Sequence, residues 1–549
     1  MNNGLLEETL EDRSVIKSAG VVGGLTSFSR GLGLIRDILM AGFFGTSLPM
    51  SAWVVAFTIP NLFRRLFGEG ALSAAFIPVF VRVREQEGDR PAWELARKIF
   101  TLVGLFLSVV VAMGVIGITI SIHQSDLGEK AAMTLPLLRI MLPYAVFICM
   151  AALVMAVLNS YHHFVLPAFA PSLLNITLII TIPFIAPMLG PEPERRIYAV
   201  AWAVIIAGLL QWGVQLPKLR SYGFRFKWIL DWKDRNVRRV FTLMGPASLG
   251  MAINQVNVVI DRLMATWIGV WAPAALYFSE RLIYFPQGIF ATAMSTVLLP
   301  VFSGHAARSD NPQILRTINY SIRNLFFVMF PASVGLFVLA RPIVQMIFEW
   351  REFTGASTDL TAIALMFYAP GLLVFSISKV FVPAFYAIQD TRTPVKVGLI
   401  SVGLKLALSL VFILTFPQML KHAGLALATV LAETVYGVVL ASLLCSRLGS
   451  PDWGSILRSA LRCLAASVVM GLFTWYTHPF VQDFFVNLEW GYKPAQISAV
   501  LVSIVIAMMI YAGLTLIIRS PELWDVVGAM RRRFFKKGVC ADKSDRIHM

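Results

Sequence analysis

Apolar runs of about 20 residues recur along the whole chain, separated by short polar segments rich in Gly, Pro and charge. Runs of that length cross the hydrocarbon core of a bilayer as helices. They do not alternate apolar with polar residues, as the strands of a membrane β-barrel would. The pattern predicts about 14 helices, centred near residues 30, 58, 110, 147, 177, 206, 251, 289, 330, 373, 406, 434, 467 and 507. The linkers mark themselves as REQEGDR at 84–90, GPEPERR at 190–196, SDNPQ at 309–313 and QDTRTP at 389–394. The expected fold class is an all-α polytopic membrane protein.

Composition agrees with the pattern. Of 549 residues, 57% are hydrophobic and only 14% charged, where a soluble domain carries about a quarter. Mean hydropathy is +0.72. The net charge of +16 needs a place. With spans alternating from the N-terminus, Lys and Arg fall about five to one on the N-terminal side. The positive-inside rule then puts both termini of this multi-pass protein in the cytoplasm. The basic segments Lys218–Arg239 and RRRFFKK at 531–537 read as cytoplasmic stretches lying on anionic lipid, not as a nucleic-acid surface. The polar, acidic start MNNGLLEETLEDRS lacks the basic region and cleavage site of a signal peptide, so the first helix is expected to be retained. Cys149, Cys445, Cys463 and Cys540 have no metal-type spacing, and His162 and His163 share a short loop. Neither a metal nor a cofactor is expected.

Proline spacing repeats. Pro143 and Pro167 match Pro370 and Pro394 at an offset of 227, and Pro78-Val79-Phe80 recurs as Pro300-Val301-Phe302 at 222. Glycine-containing segments flank the triplets, FGEG at 67–70 and FPQG at 285–288. Two six-helix repeat lobes around a central cavity are expected, with two extra C-terminal helices. The domain reading is a cytoplasmic tail at 1–14, one lobe at 15–218, a basic linker at 219–235, a second lobe at 236–447, two further helices at 448–519 and a basic tail at 520–549. Repeated lobes around a cavity suit a transporter that opens to either side in turn.

The charges inside the spans carry the candidate chemistry. A charge at the centre of a spanning helix costs roughly 2.5–3.5 kcal/mol, so it faces a cavity or a partner. The first helix holds Arg30, Arg36 and Asp37. At 100° per residue Arg30 and Asp37 share a face and Arg36 turns away. The second holds Asn61, Arg64, Arg65 and Glu69, with Arg65 and Glu69 spaced to pair. Asn254, Asn257 and Asp261 form a polar stripe on the seventh, and Glu280 and Arg281 open the eighth. Lys379, Lys405 and Glu433 lie in the tenth, eleventh and twelfth. Four arginines against two acids in the first two helices, joined by Arg281, make a cavity that wants an anion, and the arginine fork suits phosphate oxygens. The chain carries no Walker A or kinase signature and no ordinary catalytic triad. The residues thus point to a non-enzymatic transporter of a large or anionic substrate.

At these residues a family resemblance becomes specific. SRGLGLIRDILMAGFFG, followed by AFTIPNLFRRLFGEGALSAAFIPVF, resembles the start of the lipid II flippases (the MurJ or MviN family). These belong to the multidrug/oligosaccharidyl-lipid/polysaccharide exporter superfamily. YFSERLIYFPQGIFATAMSTVLLP resembles the family's eighth helix, and KVFVPAFYAIQDTRTPVKV its turn from the tenth to the eleventh. The likeness runs in order over nearly the whole chain.

The resemblance implies that Arg30, Arg36, Asp37, Arg64 and Arg281 hold the diphosphate and sugar-peptide head of lipid II. It implies that the last two helices make a groove for the polyprenyl tail, and that cell-wall synthesis or division proteins are partners. Arg65 with Glu69 would be a local supporting pair, as would Asn61, Asn257, Asp261, Glu280, Lys405 and Glu433. Three positions depart from the family pattern: Ser51 replaces an acid, Tyr284 a glutamate found in some members, and Lys405 stands where some members bind sodium. Lys405 is expected to pair with Asp261 or Glu433. The rival readings are a flippase for another polyprenyl-diphosphate saccharide, a drug/ion antiporter, which would want an acidic cavity, and a division scaffold that transports nothing.

Overall fold

The structure, a computed structural model, describes residues 2–68, 71–124, 126–488, 491–525 and 528, with side chains from residue 21 onward except at 67, 68, 71, 74 and 246–254. Glu69, Asn254's side chain, Cys540 and the 531–537 segment therefore lie outside the described residues. Among those described, all regular structure is helical.

The chain divides into two compact units, residues 1–277 with 348–357, and residues 278–347 with 358–549. The first holds α1 (Asn2–Phe44), α2 (Leu48–Phe63), α3 (Ala71–Glu87), α4 (Asp89–Gln124), α5 (Glu129–Met141) and α6 (Tyr144–Ser160). It continues with α7 (Val165–Phe169), α8 (Ser172–Ile180), α9 (Pro193–Gly213), α10 (Leu216–Ser221), α11 (Arg235–Ile268) and the start of α12 (Ala272–Pro286). The second holds the rest of α12, then α13 (Thr292–Ala307), α14 (Asn311–Val338), α15 (Ala340–Phe348), α16 (Gly355–Tyr368) and α17 (Gly371–Ala387). It ends with α18 (Arg392–Thr415), α19 (Lys421–Leu448), α20 (Trp453–Val486) and α21 (Tyr492–Ile517). Within the first unit α2 packs on α5, α6 on α9, α1 on α8, and α11 on α2 and α3. Within the second, α20 packs on α14 and α21, and α17 on α13 and α19.

Each of the 14 predicted centres falls on a helical segment. Among the described residues, ten helical segments are long and apolar enough to cross a membrane, or eleven when the pair α16–α17, bent by 46°, counts as one. The predicted spans outside that number are α1, α2 and α11. The first and last of these carry charged and polar residues, and α2 has only 16 residues before its backbone changes form. Apolarity alone therefore does not yield fourteen crossings.

The proline repeat has a structural counterpart. Pro143 precedes α6 and Pro370 precedes α17, each a helical N-cap with nearly the same backbone angles (φ −59° and −60°). Proline there ends the ladder of the preceding helix and starts the next. Phe80 and Phe302 close the repeated triplets, and both are fully buried. Short π-helical turns fall at matching places, Arg64–Gly68 and Gln287–Ala291, each shortly before its triplet. Such turns insert one extra residue and mark functional sites often.

The segment Phe348–Ser357 packs within the first unit. Trp350 donates from Nε1 to Ile38 O at 3.0 Å, and the Glu352 amide donates to Gly42 O at 3.1 Å. A Cβ on Gly42 would stand 1.9 Å from the Trp350 ring, so only glycine admits this approach. Gly45 has φ +56°, the left-handed region, and its missing Cβ would meet Glu352 O at 2.4 Å.

Candidate functional site

In the first unit α1 passes from exposed to buried between its two arginines. Arg30 is exposed, whereas Arg36 is 9% and Asp37 3% exposed. The Arg36 guanidinium donates from Nε (3.0 Å) and Nη2 (2.7 Å) to Asp37 Oδ1, and from Nη1 to Asn175 Oδ1 at 2.8 Å. Tyr277 OH donates to the same Asp37 oxygen at 2.8 Å, with Arg36 Nη2 3.3 Å from it. Asn175 is fixed in turn by donating from Nδ2 to Ser29 O at 3.0 Å. Trp53 meets the Tyr277 ring edge-on (centroids 6.3 Å, 90°). The backbone faces of Arg36 and Asp37 differ as the helical period requires, but the long arginine folds back onto its neighbour. Burial explains this: an unpaired charge there would be expensive, and the pair with its hydrogen bonds is tolerated.

On the π turn, Arg64 Nε donates to Asn61 Oδ1 at 2.8 Å, one turn back along the chain. Arg64 also lines a cavity of about 60 Å³ with Tyr144, Met155, Leu174 and Gln211. That is room for a few water molecules, not for a sugar diphosphate. Arg65 points elsewhere, donating from Nη1 to Gln255 Oε1 on α11 at 3.2 Å. Asn257 and Asp261 are half-buried on α11, and Arg262 beside them is 5% exposed. Ser51 is buried and accepts from the Ala274 amide at 3.3 Å, in the first turn of α12.

In the second unit Glu280 accepts from Tyr368 OH at 3.3 Å, and Arg281 is half-buried. Glu433 accepts from Ser378 Oγ at 2.7 Å. Lys405 is 4% exposed, and it and the exposed Lys379 both act electrostatically on Glu433. The structure thus brings Arg36 to Asp37, Arg64 to Asn61, and Lys405 to the neighbourhood of Glu433.

Sequence reasoning missed Tyr277, Asn175, Gln255, Tyr368, Ser378 and Arg262. Only Arg262 carried a signal, a charge in a mostly apolar helix. The others are ordinary residues whose role is set by a distant segment.

Helices long and apolar enough to cross a bilayer, with Arg36, Asp37 and Lys405 buried among them, define a polytopic helical membrane protein. Comparison sharpens the class. Solved structures with this fold include a lipid II flippase MurJ in an inward closed conformation (TM-score 0.72, 23% identity, 90% of this chain and 98% of that one). Another is an inward-facing multidrug resistance MATE family transporter of the MOP superfamily (TM-score 0.61, 14% identity, 78% and 98%). In sequence, the chain is 33% identical over 439 residues to the probable lipid II flippase MurJ of Vibrio cholerae, covering 77% of this chain and 82% of the relative. It is 32% identical over 490 residues to the lipid II flippase MurJ of Burkholderia cenocepacia, covering 86% and 91%. The family model for lipid II flippase MurJ matches residues 40–494. The chain belongs to the lipid II flippase MurJ family.

Proposed function

We propose that this protein moves lipid II, the polyprenyl-diphosphate-linked disaccharide-peptide, from the cytoplasmic to the periplasmic leaflet of the bacterial inner membrane by alternating access. The head enters a central cationic cavity while the tail stays in lipid. Arg30, Arg36, Arg64 and Arg281 supply the positive charge, and Asp37 sets the orientation of Arg36. The lobes are residues 15–218 and 236–447, joined by the linker 219–235, and the helices of 448–519 take the tail. Both termini are cytoplasmic, and cell-wall synthesis or division proteins are its neighbours.

The observation that carries this reading is the family match over residues 40–494, to which the buried Arg36 gives a chemical reason. Asp37, Tyr277 and Asn175 hold its guanidinium in one plane. Nε, Nη2 and Nη1 are all engaged by these partners, so a phosphate would bind here by taking the place of Asp37 and Tyr277 on the guanidinium. The test is depletion in cells. Lipid II should accumulate on the cytoplasmic leaflet and clear when the wild-type chain is restored. Arg36→Ala, inserted at normal levels, should fail to clear it. Normal leaflet distribution during depletion would rule the reading out and leave a scaffold. Accumulation of a different polyprenyl-diphosphate saccharide would identify the rival substrate.

A further inference from the structure

The chain between α10 and α11 has no regular secondary structure from Phe224 to Asp234. Its even-numbered positions from 226 to 232 carry large apolar side chains. Phe226, Trp228, Leu230 and Trp232 are 50%, 70%, 67% and 72% exposed. Between Leu230 and Trp232, Asp231 pairs with Lys98 at 3.0 Å while its side chain stays 40% exposed. Four large apolar side chains in one exposed row need a reason, since an aqueous surface rarely carries such a patch.

Contacts with α4 fix the depth of this row. Arg97 Nε donates to Arg225 O at 2.8 Å, and the Ile229 amide donates to Thr101 Oγ1 at 3.2 Å. Asp234 Oδ2 accepts from Lys98 at 2.8 Å. The linker therefore runs beside residues 97–101, where the polar start of α4 gives way to the apolar run IFTLVGLFLSVVVAMGVIGITISI. Leu105 and Phe106, the next exposed apolar residues of that helix, lie about 6 Å further along it by the helical rise. The aromatic row thus continues the lipid-facing surface of α4 at its polar end. That is the depth at which Trp collects in membrane proteins.

Charge names the occupant. Arg220, Arg225, Lys227, Lys233 and Arg235 are exposed around the row. The two acids of the stretch, Asp231 and Asp234, are both taken up by Lys98. The surface offered outward is cationic as well as apolar.

We propose that residues 224–235 form an interfacial anchor selective for anionic phospholipid. The Phe226–Trp232 row inserts at the glycerol level of the leaflet, and the surrounding cations hold lipid phosphates. This is independent of the transported substrate. Because Asp234 also caps α11, accepting from the Asn236 and Val237 amides, the anchor ties the start of that helix to the leaflet.

The experiment uses the full chain in nanodiscs of phosphatidylcholine with a minority of phosphatidylglycerol. Either lipid carries bromines near the top of its acyl chains, and tryptophan fluorescence is read. Trp228→Phe with Trp232→Phe keeps the row aromatic but removes the reporters. The difference from wild type should be a component quenched by shallow bromines, more strongly per mole by brominated phosphatidylglycerol by at least roughly twofold. Arg225→Gln with Lys227→Gln and Lys233→Gln should abolish that preference and retain quenching by both lipids. If the paired tryptophan variant loses no quenchable component, the row does not face lipid and its occupant is a protein. Equal quenching per mole of brominated lipid in the wild type would overturn the selectivity for anionic lipid.

Discussion

Arg64 and Arg65 are adjacent, yet their side chains take different partners. Arg64 stays with Asn61 and lines the small cavity, whereas Arg65 reaches α11 through Gln255. We expect Arg64→Ala to abolish transport in a protein that still inserts. Arg65→Ala should keep transport and lose stability, by about 1–3 kcal/mol for a charged hydrogen bond. Growth complementation beside thermal melting in detergent separates the two, and a dead Arg65→Ala with a living Arg64→Ala would reverse the roles. Arg36→Lys and Arg281→Lys keep charge but lose the planar fork, so each should weaken complementation. Full activity of both would leave only a bulk electrostatic role. At this scale the sequence singled out charges with apolar neighbours, because such a charge is visible locally. It could not show Tyr277, which meets Asp37 across 240 positions of chain. Nor could it test the Arg65–Glu69 pairing, since Glu69 lies outside the described residues.

Among the elements, α1 ends against Phe348–Ser357 in a contact that leaves no room for a side chain at Gly42. Gly42→Ala must push the Trp350 ring aside and break its bond to Ile38 O. Overpacking of this kind costs about 1–3 kcal/mol, so the melting temperature should fall while insertion persists. An unchanged melting curve would mean that the segment rearranges freely. At the start of α11, burial alone would push the Asp234 carboxyl up, but Lys98 and the amides of Val237 and Asn236 outweigh it and hold it below its ordinary value. A carboxyl depressed on folding stabilises the folded state above its unfolded pKa. That contribution is lost as pH falls through the folded value, below about 4. Asp234→Asn should therefore flatten the acid limb of the melting-temperature profile and leave its alkaline side unchanged in shape. An identical acid limb would show that Lys98 is served by Asp231 and Glu94 alone. Pro143 and Pro370 were legible as a repeat, but the helix starts they mark were not read from it. The π turns were not legible, since one inserted residue changes no local pattern of polarity.

For the whole molecule, eleven of the fourteen predicted centres fall, among the described residues, on segments long and apolar enough to cross a bilayer when the bent pair counts as one. The number of crossings was less legible, since α1 and α11 give up apolarity where they carry charge. The same trade between apolarity and charge bears on what drives transport. Lys405 lies in α18, 4% exposed, within electrostatic reach of the half-buried Glu433 on α19, which Ser378 holds at 2.7 Å. An isolated ammonium or carboxylate at such depth is expensive, whereas the two together offset each other. We propose that this internal ammonium takes the part of the positive charge that a bound sodium ion would otherwise bring to Glu433. Transport should then be independent of sodium and respond to membrane potential, which does work of about 2.3 kcal/mol per 100 mV on each net charge moved. Flipping is measured in reconstituted vesicles with sodium replaced by potassium or choline at fixed pH and potential, and the rate should not change. Among the described residues, Lys405→Met leaves Glu433 with only the exposed Lys379 as a nearby cation, so this variant should lose activity or gain a dependence on sodium that the wild type lacks. Loss of wild-type activity on sodium removal, restored by adding sodium back, would reject internal compensation by Lys405.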